Sequence, residues 1–397
     1  MKRYYLYLLL IFSTPVFSQQ KNATQQEAIN LFTQNKDVEA IAMFQKALQE
    51  NPKDIFSLNA LGIIYNRNDR YADEYESSGK GMVIAGNNGQ PFIIQHAEAS
   101  IELGKPTEAL TLLDGLLLQD ATLPFIPMAY CLRGRALDGL KKKQEAIGAY
   151  SKSIQLKGEF PNPYFYRGED FNNLSRYANA LKDFDSYIAL VDDYAPAYND
   201  RALAFFKLGR NDEAIADYTK SIALNPSYYL AFCNRGDVYL SLGKTGLAKA
   251  DYQTVLNKTD KYAGANWGMG QALYKEKAYK EALPMAEKAI TMQPNMQPYL
   301  ATYGYVLIGL DREKEAVRIA DRILALDDKN SDGWIMKGAC YSNLSEFDAG
   351  IRTITSGIEK LPNNYLLYYL RASIYRMMHN EVAAAADDAK AKELSTK

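Results

Sequence analysis

Between Ala195 and Tyr228 the chain reads APAYNDRALAFFKLGRNDEAIADYTKSIALNPSY, with apolar positions at helical rather than strand spacing. Tyr198, Ala202 and Phe205 stand at i, i+4 and i+7, one face of a helix. Gly209 follows, where a residue without Cβ can take φ > 0, and Asn211 or Asp212 is placed to cap a second helix. That helix puts Ala214, Tyr218 and Ser221 on one side and stops before Pro226, which disfavours a helical residue ahead of it. The pattern predicts two short amphipathic helices, A and B, joined by a tight turn. Alone they cannot bury their apolar faces; stacked copies can.

The chain supplies the copies. The same 34-residue register starts again, without insertion, at Pro127, Pro161, Tyr229, Ala263, Gln297, Ser331 and Tyr365. Upstream it recurs at Lys21, Ile55 and Gly89 or Gln90, with a three-residue slip at Pro124–Ile126, giving eleven repeats. The eighth position is always small: Ala28, Gly62, Ala97, Gly134, Gly168, Ala202, Gly236, Gly270, Gly304, Gly338 and Ala372. The twentieth is Ala in nine repeats, Gly350 in the tenth and Glu74 in the second. Small residues at these two points let helices A and B approach closely. Larger side chains at the fourth, eleventh and twenty-fourth positions (Tyr164, Phe171 and Phe184 in repeat five) fill the space around the contact. Residues 19–123 thus form three irregular repeats, 124–126 a connection, and 127–397 eight in-register repeats. The last helix carries Asp388 where its predecessors are bulky, a polar cap for the array.

This period and its large, small and aromatic positions resemble the tetratricopeptide repeat family. The resemblance implies an all-α, right-handed α-solenoid of helix-turn-helix repeats. It also implies that helix A lines an inner groove, with positions 2, 5, 9, 12 and 13 touching a peptide or partner protein segment. Carried onto repeats five and six, those positions give Phe165, Glu169, Asn172, Asn173, Asn199, Phe206 and Lys207. In repeats eight and nine they give Trp267, Gln271, Tyr274, Lys275 and Tyr305. Asn donates and accepts along an extended backbone, while Trp and Tyr supply contact area at low entropy cost. The carboxylate clamp of chaperone-binding relatives needs Lys at set groove positions, and no fifth position is Lys.

Charge patterning adds a second regularity. Arg133, Arg167, Arg201 and Arg235 hold the seventh position of repeats four to seven, and Asp183, Asp217 and Asp251 hold the twenty-third in the last three. Repeat eleven has both again, as Arg371 and Asp387. The correlation predicts an ion pair inside each repeat; pairing between neighbours matches fewer times. Repeats eight and nine replace the pair with Met269/Met285 and Tyr303/Ile319, and reduce the aromatic of helix B to Ala286 and Ala320. Pro284 lies within helix B of repeat eight, where it removes a backbone hydrogen bond and is expected to bend the helix.

Little catalytic chemistry is legible. The stretch GKGMVIAG (residues 79–86) lacks the full phosphate-loop pattern and falls inside a helix B. Cys131, Cys233 and Cys340 are too far apart in the register to form disulfides. His96 sits at a packing position and His379 in a turn. Neither has ligating neighbours that packing leaves unexplained. We expect no enzyme activity, no cofactor and no metal.

Residues 1–18, MKRYYLYLLLIFSTPVFS, read as a secretory signal peptide with cleavage after Ser18. Their loss removes Lys2 and Arg3 and takes the net charge from −1 to −3. A chain this balanced has no electrostatic footprint for nucleic acid, and no other stretch is long and apolar enough to cross a membrane. The sequence therefore predicts an exported scaffold, periplasmic, with an extracellular or outer-membrane-associated place as the other settings. It binds a partner in its groove or, alternatively, serves as a structural assembly factor of a secretion or polysaccharide-export complex in the envelope, docking through its outer face.

Overall fold

The computed structural model describes residues 21–86, 89–118, 125–157 and 159–396. The signal peptide reading and Pro124 of the connection lie outside them. The described residues are helical throughout, in 22 helices. They fall into two compact units, Met1–Leu208 and Gly209–Lys397.

In the first unit α1 (Ala23–Thr33) pairs with α2 (Asp37–Glu50), α3 (Ile55–Arg67) with α4 (Tyr71–Ala85), and α5 (Gln90–Glu102) with α6 (Pro106–Leu117). Next α7 (Ile126–Gly139) pairs with α8 (Lys143–Leu156), and α9 (Asn162–Asn173) with α10 (Tyr177–Leu190); α11 (Ala195–Lys207) closes the unit. The second unit opens with α12 (Asn211–Leu224). Its pairs are α13 (Tyr229–Ser241) with α14 (Thr245–Leu256), α15 (Ala263–Lys275) with α16 (Tyr279–Met292), and α17 (Gln297–Ile308) with α18 (Glu313–Leu326). Two more follow, α19 (Ser331–Asn343) with α20 (Phe347–Lys360) and α21 (Tyr365–Met377) with α22 (Glu381–Ser395). Odd-numbered helices are the A helices of the register. Within each unit successive A helices touch, as α7 does α9 and α15 does α17, whereas successive B helices lie farther apart. Each stack therefore curves with its A helices inside.

The turn between A and B is built the same way in all eleven repeats. Its fifteenth position adopts a left-handed backbone, from Asn35 at φ 59° through Lys141 at 60° and Gly209 at 76° to His379 at 57°. Gly104 occupies it in repeat three, which sets that register at Gln90. The next amide then reaches back to the carbonyl five residues earlier, as Lys142 does to Leu137 (2.9 Å) and Arg312 to Leu307 (3.0 Å), satisfying the frayed end of helix A. Gly at this position is thus a convenience, not a requirement. The expected cap from Asn211 or Asp212 is not made. Both lie inside α12, and its N-cap Arg210 makes no side-chain cap bond. The left-handed turn starts helix B one residue too early for them to cap it.

The invariant small eighth position has a direct cause. A Cβ built on Gly134 would lie 2.3 Å from the Tyr150 ring, on Gly168 2.9 Å from Phe184, and on Gly236 2.6 Å from Tyr252. These are the twenty-fourth positions of the same repeats, all buried. Each ring from helix B occupies the place on helix A where a side chain would have been. The Tyr252 ring also covers Gly268 of the next repeat at 2.4 Å, so one aromatic side chain locks two A helices. In repeat eight, where the ring is replaced by Ala286, a Cβ on Gly270 meets nothing closer than 3.4 Å.

The ion pairs form, and they do more than expected. Arg167 grips Asp183 with Nε (2.8 Å) and Nη2 (2.7 Å), and Arg235 and Arg371 hold Asp251 and Asp387 in the same two-pronged way. The third nitrogen reaches back to the preceding repeat: Arg167 Nη1 donates to Ser151 (2.7 Å), Arg235 to Thr219 (2.9 Å) and Arg371 to Thr355 (2.9 Å). The seventh-position residues Arg133, Arg201, Tyr303 and Lys337 likewise reach Asp114, Asp185, Glu287 and Asp321. Contact with the neighbouring repeat thus recurs beside the expected pair, through a partner other than the twenty-third-position aspartate. That partner is always the twenty-fifth position, whose chemistry varies between carboxylate and hydroxyl.

Helix α16 runs through Pro284 without a break. The glycine-rich stretch is helical up to Ala85, within α4, and Gly81 lies beneath the Phe92 ring, so no phosphate loop forms.

These contacts predict opposite outcomes for one substitution at two equivalent sites. Gly134→Ala forces the Tyr150 ring, anchored by its hydroxyl to Asp138 at 2.6 Å, out of place and costs about 1–3 kcal/mol. Gly270→Ala removes helix-interior flexibility without a clash and is neutral or stabilising by up to about 1 kcal/mol. Urea unfolding followed by circular dichroism measures both.

Candidate functional site

Interlocking uses the flanks of each A helix and leaves its inner face free to vary. In the second unit that face carries a cavity of about 450 Å³ beside Trp267. Trp267 is held rigidly. Its Nε1 donates to Thr302 Oγ1 (2.9 Å) and the Pro298 carbonyl (3.2 Å), and its ring packs at a tilt of 31° against Tyr299 with centroids 5.3 Å apart. Tyr262, Asn234, Asp237 and Leu230 complete much of the wall. A fixed aromatic plate beside a carboxylate and an amide suits a side chain with an apolar stem and a polar head.

Further along the same face, Tyr274 lies between Tyr279 (5.6 Å) and Tyr305 (6.2 Å). The Tyr305 hydroxyl donates to Asp332 Oδ1 (3.1 Å), and burial pushes its phenol well above the usual range. Gln271 is half-buried one turn after Trp267. Lys275 is exposed, but its Nζ donates to the Leu240 carbonyl (3.0 Å) at the end of α13, where a cation meets the negative end of the helix.

The first unit presents a different surface. Glu169 is half-buried among Asp138, Asp170 and Asp200, with Lys143 as the nearby cation. Burial first, then the three carboxylates, raises Glu169 to about 8. Burial also raises Asp170 and Asp200 to about 6. Asn172 donates to the Asp200 carbonyl (2.8 Å). Asn173 and Lys207 are exposed, and Phe206 is half-buried with Lys207 Nζ 5.8 Å from its ring centre.

Two expected contact residues are not available to a ligand. Phe165, 5% exposed, packs in an aromatic cluster with Phe184, Tyr187 and Tyr194 at centroid distances of 5.3–6.0 Å. Asn199, 1% exposed, donates to Asp200 Oδ1 (2.9 Å). Trp267, at the same position of repeat eight, leans on repeat nine through Pro298, Tyr299 and Thr302 yet stays half-buried. Conversely, Asp237 and Tyr299 line the cavity unannounced. Asp237 stands at the ninth position of repeat seven and was legible by the same rule; Tyr299, at a third position, was not.

One constellation has the composition of a hydrolase triad. His96 Nδ1 lies 3.0 Å from Ser78 Oγ, and Nε2 lies 3.4 Å from Glu108 Oε1. Its wiring is wrong for catalysis. Nδ1 also lies 3.0 Å from the Tyr75 carbonyl, which only accepts, so Nδ1 carries the proton and is no base for the serine. Ser78 is fully buried and donates to the Glu74 carbonyl (2.7 Å). The three cysteines are free and buried, and burial drives their thiols upward, Cys340 to about 12. Among the described residues no group of three or more His, Cys, Asp or Glu is placed to hold a metal ion, and no helix is long and apolar enough to cross a membrane.

Comparison with known proteins agrees with the repeat geometry. Models described as tetratricopeptide or TPR repeats match residues 94–161, 202–243, 233–296 and 273–340. DnaJ homolog subfamily C member 7 of Mus musculus and of Homo sapiens are 33% and 32% identical over 90 residues. The matched stretch is 23% of this chain and only 18% of either relative. Among solved structures, the APC/C hetero-tetramer Cut9-Hcn1 aligns over 98% of this chain and 95% of that one, at 12% identity and a TM-score of 0.48. YrrB, a TPR protein with an unusual peptide-binding site, aligns over 46% of this chain and 95% of its own, at 21% identity and 0.38. TTC0263, a thermophilic TPR protein of Thermus thermophilus, aligns over 45% and 98%, at 19% identity and 0.40.

The raised carboxylates make a pH prediction. Each binds its proton more tightly folded than unfolded, so its stabilising contribution is full at low pH and is lost as pH rises through 6 for Asp170 and Asp200 and through 8 for Glu169. Glu169→Gln removes the last of these losses. The melting temperature of the variant should therefore rise relative to the unsubstituted chain between pH 6 and 9, measured by circular dichroism in matched buffers.

Proposed function

Since the chain belongs to the tetratricopeptide repeat family, we propose that it is a non-enzymatic interaction scaffold holding a peptide or partner protein segment against the inner, A-helix face. The observation that carries this reading is the cavity beside Trp267. A tryptophan pinned by two hydrogen bonds and left half-open toward a 450 Å³ hollow is arranged in advance, so little entropy is lost on binding. Within the second unit the tyrosines along the same face extend the surface a segment would follow. The family supports binding of a protein, and the buried, wrongly wired Ser78–His96–Glu108 group is not a catalytic triad. The leader-like composition of residues 1–18 supports an exported protein working in the cell envelope, periplasmic in a Gram-negative cell. Its mature form should begin at Gln19 when recovered from the envelope fraction and read by mass spectrometry.

A photo-crosslinking residue at position 267, with a control at exposed Glu281 on α16, tests the assignment in living cells. We expect a discrete partner captured from 267 and not from 281. Trp267→Ala should weaken binding of that partner by about tenfold or more at unchanged helicity, and Asn173→Ala should weaken it to a lesser degree. Capture from 281 alone, with both substitutions silent, would replace groove binding by docking through the outer face, as in an assembly factor of a secretion or polysaccharide-export complex.

A further inference from the structure

The repeat register exposes a gap in repeat two. In repeats five, seven and eleven the seventh-position arginine fills the slot between two successive B helices. It bonds to the twenty-third position of its own repeat and the twenty-fifth of the one before. Its guanidinium also lies by the ring at the eleventh position, 5.7 Å from Phe171 for Arg167 and 5.9 Å from Tyr239 for Arg235. Repeats eight, nine and ten give up the arginine but keep a long side chain there, Met269, Tyr303 and Lys337. Repeat two has Leu61, which supplies an apolar stem and no head. A hollow of about 420 Å³ opens at this point between α2 and α4, and its walls include Gln45, Leu61, Tyr65 and Ser77. These are the twenty-fifth position of repeat one and the seventh, eleventh and twenty-third of repeat two. The same set surrounds the guanidinium in repeats five and seven.

The cradle keeps what a guanidinium uses. Ser77 Oγ donates to the Leu58 carbonyl (2.8 Å) and Gln45 Nε2 to the Tyr65 hydroxyl (3.2 Å), so each side chain still offers oxygen lone pairs to an incoming donor. Phe171 carries two arginines, Arg167 and, at 4.5 Å, Arg176. Tyr65 has the counterpart of the second, Arg70 at 4.6 Å, while Leu61 stands where the first would begin. Negative charge, held at the twenty-third position by aspartate in the other repeats, comes here from Asp73 and Glu76 on the wall. Their present partners, Arg70 (2.8 Å) and Lys80 (2.6 Å), are exposed, and surface pairs of this kind exchange at low cost.

We propose that this hollow on the outer, B-helix face takes an arginine side chain from a partner protein, in the place where repeats five, seven and eleven supply their own. The site is separate from the inner face and does not rest on binding there. Arginine is the occupant because its flat, weakly hydrated head can lie against the Tyr65 ring while its fork reaches two acceptors; an ammonium does neither. An apolar side chain would fill the space and use none of the acceptors around it.

The test uses the full chain with carbon-13 in its leucine methyl groups, so that Leu48, Leu58 and Leu61 on the wall report directly by NMR. The probe is a nine-residue Gly/Ser peptide with a single central arginine; control peptides carry citrulline, lysine or leucine there. The arginine peptide should shift these three signals saturably, with a Kd of roughly a millimolar or below. Citrulline, which keeps the shape and loses the charge, should bind about tenfold more weakly or worse. Leu61→Arg with Ser77→Asp rebuilds the ion pair of the other repeats and should abolish binding at unchanged helicity. Asp73→Asn with Glu76→Gln alters only the exposed rim, gives a second variant that does not depend on repacking, and should weaken binding about fivefold. Trp267→Ala should leave it unchanged. Citrulline or leucine binding as well as arginine, shifts confined to other leucines, or indifference to both double substitutions would each overturn the proposal. Crosslinking from position 267 reads the inner face alone, so the two ideas fail separately.

Discussion

An aromatic ring lying on a bare stretch of helix backbone is the contact from which this fold follows. Tyr150, Phe184 and Tyr252 each occupy the space a side chain would need at Gly134, Gly168 and Gly236, which is why that position is bare in those repeats; at Gly304 and Gly338 the aliphatic Met336 and Ile354 fill the same space. Close packing of this kind tolerates no change of a methyl group without movement. The ring fixes the distance between helices A and B, and where it also covers the next repeat, as Tyr252 covers Gly268, it fixes the step between repeats. The left-handed residue of each turn does the complementary task of holding the hairpin length constant, so equal units can stack.

A second device runs along the junctions. The seventh-position side chain, most often arginine, holds an aspartate on its own helix B with two nitrogens and an acceptor on the preceding helix B with the third. Such a partly buried pair adds little net stability for the charge it desolvates, but it specifies register: a hairpin slipped by one residue leaves a carboxylate buried and unpaired. Packing and register are thus secured on the flanks of the helices. The inner face is released from both duties, and there the two units differ, one aromatic and one acidic.

Most of the architecture could be read in advance because the eleven repeats act as their own alignment. The small eighth position and the intra-repeat ion pairs each recur in one kind of side chain, Gly or Ala in the first and Arg with Asp in the second. What escaped notice was periodic in geometry and not in chemistry. The twenty-fifth position is Asp, Ser, Asp, Thr, Glu, Asp or Thr where it accepts from the next repeat, and no residue type recurs often enough to announce a partner. The turn position is Gly in only three of eleven repeats, so backbone strain concealed it. At the inner face the fifth position misled in both directions. Phe165 and Asn199 are buried while Trp267 stays partly open. The carboxylate group around Glu169 draws Asp170 and Asp200 from the tenth and sixth positions, which helical spacing alone assigns to packing.

A double-mutant cycle on Gly236 and Tyr252 bears most directly on the interlock. With the ring in place, Gly236→Ala should lower stability, because its Cβ lies 2.6 Å from the Tyr252 ring. In a Tyr252→Ala background the same substitution should become neutral or stabilising, since the added methyl enters vacated space and removes a helix-interior glycine. An equal loss in both backgrounds would show that the ring and the bare backbone are not coupled, and the account of this fold built on that contact would be contradicted.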